Sequence, residues 1–257
     1  MCGIGALISL VPFRLETLMN IPLNQLYRGT KGCGIAWTDF RSIYLIKDPI
    51  SPKAFKNKYE LVLKTVTAKM AIIHHRLPSH GDVKYENTHP FMSCRKSPIK
   101  FAFCHNGTFP SILEFREELE AKGHRIGGET DSELIMHMIE DEIGSEEDLL
   151  EVMKKYGGAG VLVALTTKAI YVVSGGTRSI YLAKTPRSII VASTIKAIYE
   201  TAKTAKETPI RYYSIRHCKI SFSGSSIVVK GSLIPVEAVV KPRPFPSFSP
   251  PNWRWLP

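Results

Sequence analysis

Four clusters of residues in this chain have the types and spacing to do chemistry. The first is Met1-Cys2-Gly3. A small second residue permits removal of the initiator methionine, which would leave Cys2 with a thiol and a free α-amine on one residue. The reference pKa of an α-amine is about 7.7–8.0, so that amine can act as the thiol's base, directly or through a water. The plainer alternative is a small buried residue opening a strand. The second cluster is His105-Asn106-Gly107-Thr108. The Asn side-chain amide and the Gly N–H can both donate to one oxyanion; an Asn-Gly hairpin turn is the competing reading. The third is Gly128-Glu129-Thr130-Asp131-Ser132-Glu133. It reads as helix capping, with Thr130 as cap, Glu133 reaching back and Asp131 at the positive helix end. Asp131 could also hold a ligand ammonium, and the two roles are compatible.

The fourth cluster is His74-His75-Arg76-Leu77-Pro78-Ser79-His80-Gly81, followed by Glu86-Asn87-Thr88-His89-Pro90-Phe91. Arg76, at the end of a predicted strand, can grip a carboxylate with two parallel hydrogen bonds. The histidines invite a metal, but no carboxylate or Cys pattern completes a site there. His-x4-His on a loop is not the helical zinc signature. No metal and no cofactor is therefore expected, and His74, His75 and His105 read as packing or hydrogen-bonding residues. Together the clusters suit a free amino acid with an amide side chain. Arg76 would take its α-carboxylate and Asp131 its α-ammonium, while Cys2 and the Asn106/Gly107 pair act at the side-chain carbonyl.

These residues need elements to position them. Strands are predicted at residues 2–10, 35–38, 42–47, 69–75 and 99–105, and again at 161–166, 170–173, 179–183 and 189–192. Helices are predicted at 15–27, ending near 67, and at 195–203. Capping pairs predict three more: Ser111 with Glu114, Thr130 with Glu133, and a start at Ser145. A hairpin is expected over 214–222 and 225–229, with Gly224 in its turn. Residues 76–98 form a long loop of the kind that carries function. Alternation along 99–105 points Cys104 away from the pocket. Strands, then helices, then strands suggest two sheets with helices packed on them. No internal linker is visible, so one domain is expected over 2–240, with a proline-rich tail at 241–257.

Composition narrows the classes. The 257 residues carry 34 Lys plus Arg and 23 Asp plus Glu, a formal net charge of +11. The basic residues are scattered and no nucleic-acid module is recognisable, so nucleic acid is not an expected partner despite the charge. No apolar run reaches the roughly 20 residues of a membrane helix. The basic residue Arg14 follows the N-terminal apolar run rather than preceding it, which is not a signal peptide. A cytoplasmic chain is expected. Its five cysteines are odd in number, spread out, and lack any CxxC or CxxH spacing, so free thiols are expected in place of disulfides or zinc.

The motifs resemble the class II glutamine amidotransferase domain, of the N-terminal-nucleophile hydrolase fold. The matching pieces come in that family's order: MCGI, YRGTKGCGIAW at 27–37, HHRLPSHG at 74–81, ENTHPF at 86–91, HNGTF at 105–109 and GETDSE at 128–133. The resemblance runs from residue 2 to about 200. It implies an α+β fold, a four-layer αββα sandwich of two mainly antiparallel sheets. It also implies roles. Cys2 would form a γ-glutamyl thioester, and Asn106 and Gly107 would make the oxyanion hole. Arg28 and Gly29 would sit beside the nucleophile and help place its amine. Arg76 and Asp131 would bind the glutamine backbone groups, and Ser79, His80 and Gly81 would line the pocket on a mobile loop.

Multidomain synthases of that family usually carry Trp-Ala-Thr after the Arg, where this chain has Leu77-Pro78-Ser79. With that difference, the ENTHPF and GETDSE pieces and the chain length, the expectation is a stand-alone, single-domain member. Its substrate would be glutamine, with ammonia passed to a partner synthase subunit, or a γ-glutamyl compound. A non-catalytic glutamine-binding or scaffold domain is the third alternative.

Overall fold

The computed structural model describes residues 1–94 and 97–236. The expected boundary at residue 240 and the proline-rich tail lie outside the described residues. An apolar run with β-branched Ile4, Ile8 and Val11 opens the chain as strand β1 (Gly3–Arg14). Helix α1 (Asn20–Leu23) is short and flanked by 3-10 turns at Leu15–Met19 and Leu26–Arg28. The continuous helix expected over 15–27 is absent because Pro22 lacks an N–H and clashes with the preceding turn. Next come β2 (Cys33–Thr38), β3 (Ile43–Asp48), helices α2 (Pro52–Lys58) and α3 (Glu60–Thr65), and β4 (Thr67–His75). After the long loop come β5 (Phe91–Met92), β6 (Ala102–Gly107), α4 (Arg116–Ala121), α5 (Asp131–Glu142) and α6 (Leu149–Lys155). The chain continues as β7 (Gly160–Leu165), β8 (Ala169–Ser174), β9 (Tyr181–Lys184), β10 (Ser188–Ala192), α7 (Ile195–Thr204), β11 (Arg211–Ser223) and β12 (Ser226–Val236).

All pairings are antiparallel, in the order β3-β2-β4-β1-β10-β9-β11-β8-β7-β6-β5, with β12 on β11. The two expected sheets are thus one hydrogen-bonded path folded over at β11. Residues 211–214 of that strand pair with β9 and residues 217–221 with β8. Side-chain alternation then makes three cores. Ile4, Ala6 and Ile8 of β1 meet Cys104, Val161, Val163 and Val172 between the two halves of the sheet. Leu7, Ile35, Ile73 and Ile190 face α1, α3 and α7. Phe103, Leu162, Ala164 and Tyr171 face α5 and α6. Three cores separate four layers, the αββα sandwich. Each fully buried aliphatic side chain contributes roughly 1.5–3 kcal/mol.

Three local expectations fail for identifiable reasons. Phe109, not Ser111, precedes the helical segment, and Pro110–Phe115 is a 3-10 turn before α4. The Phe109 N–H is drawn to Asp131 Oδ2 at 2.7 Å instead. Ser145 opens no helix: its N–H and hydroxyl both donate to Asp148 Oδ2 (2.9 and 2.8 Å), and α6 starts after Asp148. Cys104 lies in the core between the sheet halves, on the same face as Asn106 two residues on, rather than pointing away. Among the described residues, no helix is long and apolar enough to cross a membrane.

Candidate active site

Cys2 stands immediately before β1, which runs between β4 and β10. Glycine is required next to it: a Cβ on Gly3 would lie 1.9 Å from the His75 ring. The Cys2 sulfur is held by the segment leaving β4. Leu77 N–H donates to Sγ at 3.3 Å, and Sγ lies 3.4 Å from the Leu77 carbonyl. Buried Arg28 donates from Nε to the Cys2 carbonyl at 3.0 Å. Gly29 lets the chain pass Arg76, since a Cβ there would be 2.5 Å from that residue's carbonyl carbon and oxygen. Burial pushes the Cys2 thiol pKa up. The Leu77 hydrogen bond, the chain terminus and Arg76 pull it down by less. The resting thiol is therefore protonated and needs a base.

The end of β6 meets the end of β4. His74, which pairs with Ile4 of β1, has its Nε2 3.2 Å from the His105 carbonyl and so joins the sheet halves two residues from Cys2. One residue on, Asn106 is buried, and its Nδ2 has no hydrogen-bond partner among the described residues. Gly107 is as constrained as Gly3, for a Cβ there would lie 1.8 Å from the Ala159 carbonyl. His105 points to the other face. Its Nδ1 is 2.9 Å from Ser132 Oγ and its Nε2 3.2 Å from the Ala159 carbonyl. Burial lowers the pKa of His105, and likewise of His74, and brings His75 down to about 4. All three are neutral, packed rings near neutral pH.

Asp131 is the first residue of α5, behind a Thr130 cap whose hydroxyl accepts from Glu133 N. Its Oδ2 accepts from Phe109 N–H, and Oδ1 lies 3.2 Å from Ser132 Oγ, which ties α5 to the segment after the Asn-Gly pair. Glu133 does not reach back to Thr130. Its carboxylate instead accepts from Gly127 N (3.0 Å) and Gly128 N (2.7 Å). Arg76 is buried near the carboxylates of Asp131 and Glu129 and the Cys2 thiol. Its guanidinium holds the loop: Nη1 donates to Asp82 O (2.8 Å), and Nη2 to His80 O (2.5 Å) and Gly81 O (3.0 Å). Gly81 has φ +72°, a conformation suited to glycine. Ser79 is exposed and His80 half-buried on this same loop.

This arrangement brings Cys2, Arg28, Gly29, Arg76 and the Asn106-Gly107 pair to one end of the sandwich. Residues 24–183, well over half of the chain, match the family of class-II glutamine amidotransferases. The chain belongs to that family. A glutamine–fructose-6-phosphate aminotransferase of Methanothermobacter thermautotrophicus is 35% identical over 176 residues, covering 65% of this chain and 28% of that protein. An amidophosphoribosyltransferase of Methanocaldococcus jannaschii is 32% identical over 156 residues, covering 60% of this chain and 32% of that protein. The chain thus spans about a third or less of the curated relatives it matches. The fold is that of solved glutamine phosphoribosylpyrophosphate amidotransferase from B. subtilis, with a TM-score of 0.70 at 20% identity, over 89% of this chain and 49% of that one.

Several residues around this candidate site escaped the sequence. Glu129 Oε2 accepts from Asp82 N–H (3.0 Å) and Asn87 Nδ2 (3.1 Å), Asn87 Oδ1 accepts from Glu129 N–H (2.7 Å), and Lys84 pairs with Glu129. This clamp fixes the 80–88 loop that Arg76 also holds. Asn87 and Glu129 lie inside the motifs ENTHPF and GETDSE. Their pairing across 42 positions has no local signature. Cys2 lies outside the matched residues 24–183.

Proposed function

We propose that this chain hydrolyses the side-chain amide of glutamine to glutamate and ammonia, with Cys2 as nucleophile once Met1 is removed. Removal of Met1, which is 57% exposed, turns the Cys2 peptide nitrogen into an amine able to take the thiol proton. The thiolate then attacks Cδ of glutamine, and the carbonyl oxygen becomes an oxyanion. The observation that carries this reading is the Asn106 Nδ2 amide, buried, without a partner among the described residues, and one residue on from the His105 carbonyl that His74 of the neighbouring strand end contacts. A preorganised donor with nothing to bond in the resting state suits charge that appears only in the transition state. Gly107 N–H is the second donor. The α-amine returns its proton to the departing ammonia, and water, deprotonated by the same amine, hydrolyses the thioester to glutamate.

Asp131 would hold the substrate ammonium and Arg76 its carboxylate. Arg76 must then exchange the carbonyls of His80, Gly81 and Asp82 for substrate oxygens, so binding is coupled to movement of that loop. The ammonia acceptor would be a synthase domain or partner subunit, as the names of the relatives suggest. The test is glutamate release by the Met1-free chain from glutamine and from γ-glutamyl amides, which share the same glutamyl half. Cys2→Ala should abolish release. Faster turnover of γ-glutamyl amides than of glutamine would replace the ammonia-donor reading with γ-glutamyl hydrolysis.

A further inference from the structure

A second cluster of donors lies away from Cys2, where the segment after β5 meets the far end of α5. Cys94 Sγ, a ring nitrogen of His124 and a carboxylate oxygen of Glu140 lie within 4.8 Å of one another. His137 joins them one helical turn before Glu140. Its Nδ1 is 2.6 Å from Glu140 Oε2 and 3.1 Å from His124 Nδ1. His124 Nδ1 is in turn 3.5 Å from Glu140 Oε2. A thiol, a carboxylate and two imidazoles therefore converge on one small volume. Donors around a tetrahedral zinc ion sit about 3–4 Å apart, so the 2.6 Å contact between His137 Nδ1 and Glu140 Oε2 is a hydrogen bond that a bound ion would replace.

The orientation of His124 is as informative as the distances. Its Nε2 is held by Asp141 Oδ1 at 2.7 Å, which fixes the proton on Nε2 and leaves Nδ1 bare toward the cluster. A carboxylate gripping the outer nitrogen of a histidine is the usual support behind a metal-binding ring. One hydrogen bridges the two Nδ1 atoms at 3.1 Å, and a cation that took both lone pairs would replace it. Glu140 is buried, its Oε1 accepts from the Cys94 N–H, and its Oε2 faces the Nδ1 atoms of both His137 and His124, so a cation there would meet a carboxylate already held in place. An open cavity of about 130 Å³ lined by Cys94, Ser97, Lys122, His124, Glu140 and Asp141 provides a path for entry.

We propose that Cys94, His124 and Glu140, with His137 as the fourth donor, form a binding site for zinc(II). The mixed S, N and O donor set suits that borderline-soft ion better than magnesium or calcium. Glu140 is nine residues along α5 from Asp131, about 14 Å at helical rise. The ion would not touch the reaction. It would pin the segment after β5 and the α4–α5 connection to α5, the helix whose first residue is Asp131. The donors are scattered over 94–140 with no compact spacing, and a zinc site here departs from the expectation of no metal read from the sequence pattern.

The test uses the full chain, stripped with chelator, incubated with zinc(II) and gel-filtered. One zinc per chain should remain, and its melting temperature should rise with zinc concentration. Cobalt(II) in place of zinc should give a thiolate charge-transfer band that Cys94→Ser lacks and Cys2→Ser keeps. His124→Ala should lose the bound metal. Asp141→Asn, at a partly exposed position whose folding is not in question, should weaken zinc binding about 10–100-fold. A wild-type chain that retains no zinc would overturn the proposal. So would Cys94→Ser and Asp141→Asn proteins that bind zinc as tightly as wild type.

Discussion

Replacing Asn106 by Ala separates a catalytic donor from a structural one. The Asn106 Nδ2 is buried and bonds to nothing among the described residues. A buried donor without a partner costs about 1–3 kcal/mol, so its removal takes no hydrogen bond from the fold. The small cavity left by truncation works against that gain, and the net change in stability should stay within about 1 kcal/mol. The reaction should respond quite differently. Loss of one oxyanion donor costs about 2.7–4 kcal/mol of transition-state stabilisation, a fall of roughly 10²–10³ in kcat. Because the donor engages only the transition state, kcat and kcat/KM should fall together, with KM for glutamine little changed. The assay is coupled detection of glutamate, on chains shown by intact mass to lack Met1, beside urea unfolding of both proteins. An Asn106→Ala protein within tenfold of the wild-type rate would refute the assignment. A rate loss matched by an equal loss of stability would refute it as well, because the side chain would then be structural.

Other perturbations follow from the same geometry. Glu133→Gln should cost about 1.5–3 kcal/mol, read by urea unfolding, since the carboxylate accepts charge-assisted bonds from Gly127 and Gly128 N–H; an unchanged midpoint would contradict this. Burial lowers His75 to about 4, and His74, His89 and His105 are lowered too, so the unfolded chain binds more protons as pH falls through about 6.5. Stability should therefore drop between about pH 6.5 and 4, by up to about 3 kcal/mol from His75 alone. His89→Phe, which removes two unpartnered ring nitrogens, should make that slope shallower; a flat profile in wild type would count against neutral buried histidines. Lys47, buried between the Tyr85 and Phe91 rings, is lowered to about 8. Its folded pKa lies below its unfolded one, so it costs stability fully below about pH 8, and the cost fades as pH rises through about 10.5. Lys47→Met should therefore stabilise the protein at pH 7 by up to about 3 kcal/mol and give no gain above that range; loss of stability at pH 7 would disprove it.

Much of the site was legible because its donors sit in short contiguous motifs. The strand carrying Asn106, the cap at Thr130 and the strand ending before Arg76 each follow from local patterning. What escaped was set by tertiary contacts. Pro22 broke a helix that periodicity alone extended. A 3-10 turn over Pro110–Phe115, tied to α5 by the Phe109 N–H on Asp131, stands where a helix capped by Ser111 was expected, and α4 starts at Arg116. Glu133 turned from Thr130 to the Gly127 and Gly128 amides. Arg76 bonds its own loop, and the Asn87–Glu129 clamp closes over a separation that no local pattern reveals. The two sheets expected from strand order are one path, because β11 is long enough to pair with both halves.

The most direct test of Cys2 as nucleophile is covalent. The purified chain is treated with a glutamine analogue bearing an electrophilic diazoketone in place of the side-chain amide, then mapped by peptide mass spectrometry. A single adduct on a peptide that begins at Cys2, with Met1 absent and glutamate release lost in proportion, is the predicted result. An adduct on Cys33, Cys94, Cys104 or Cys218 instead, or full activity after Cys2 is modified, would contradict the account.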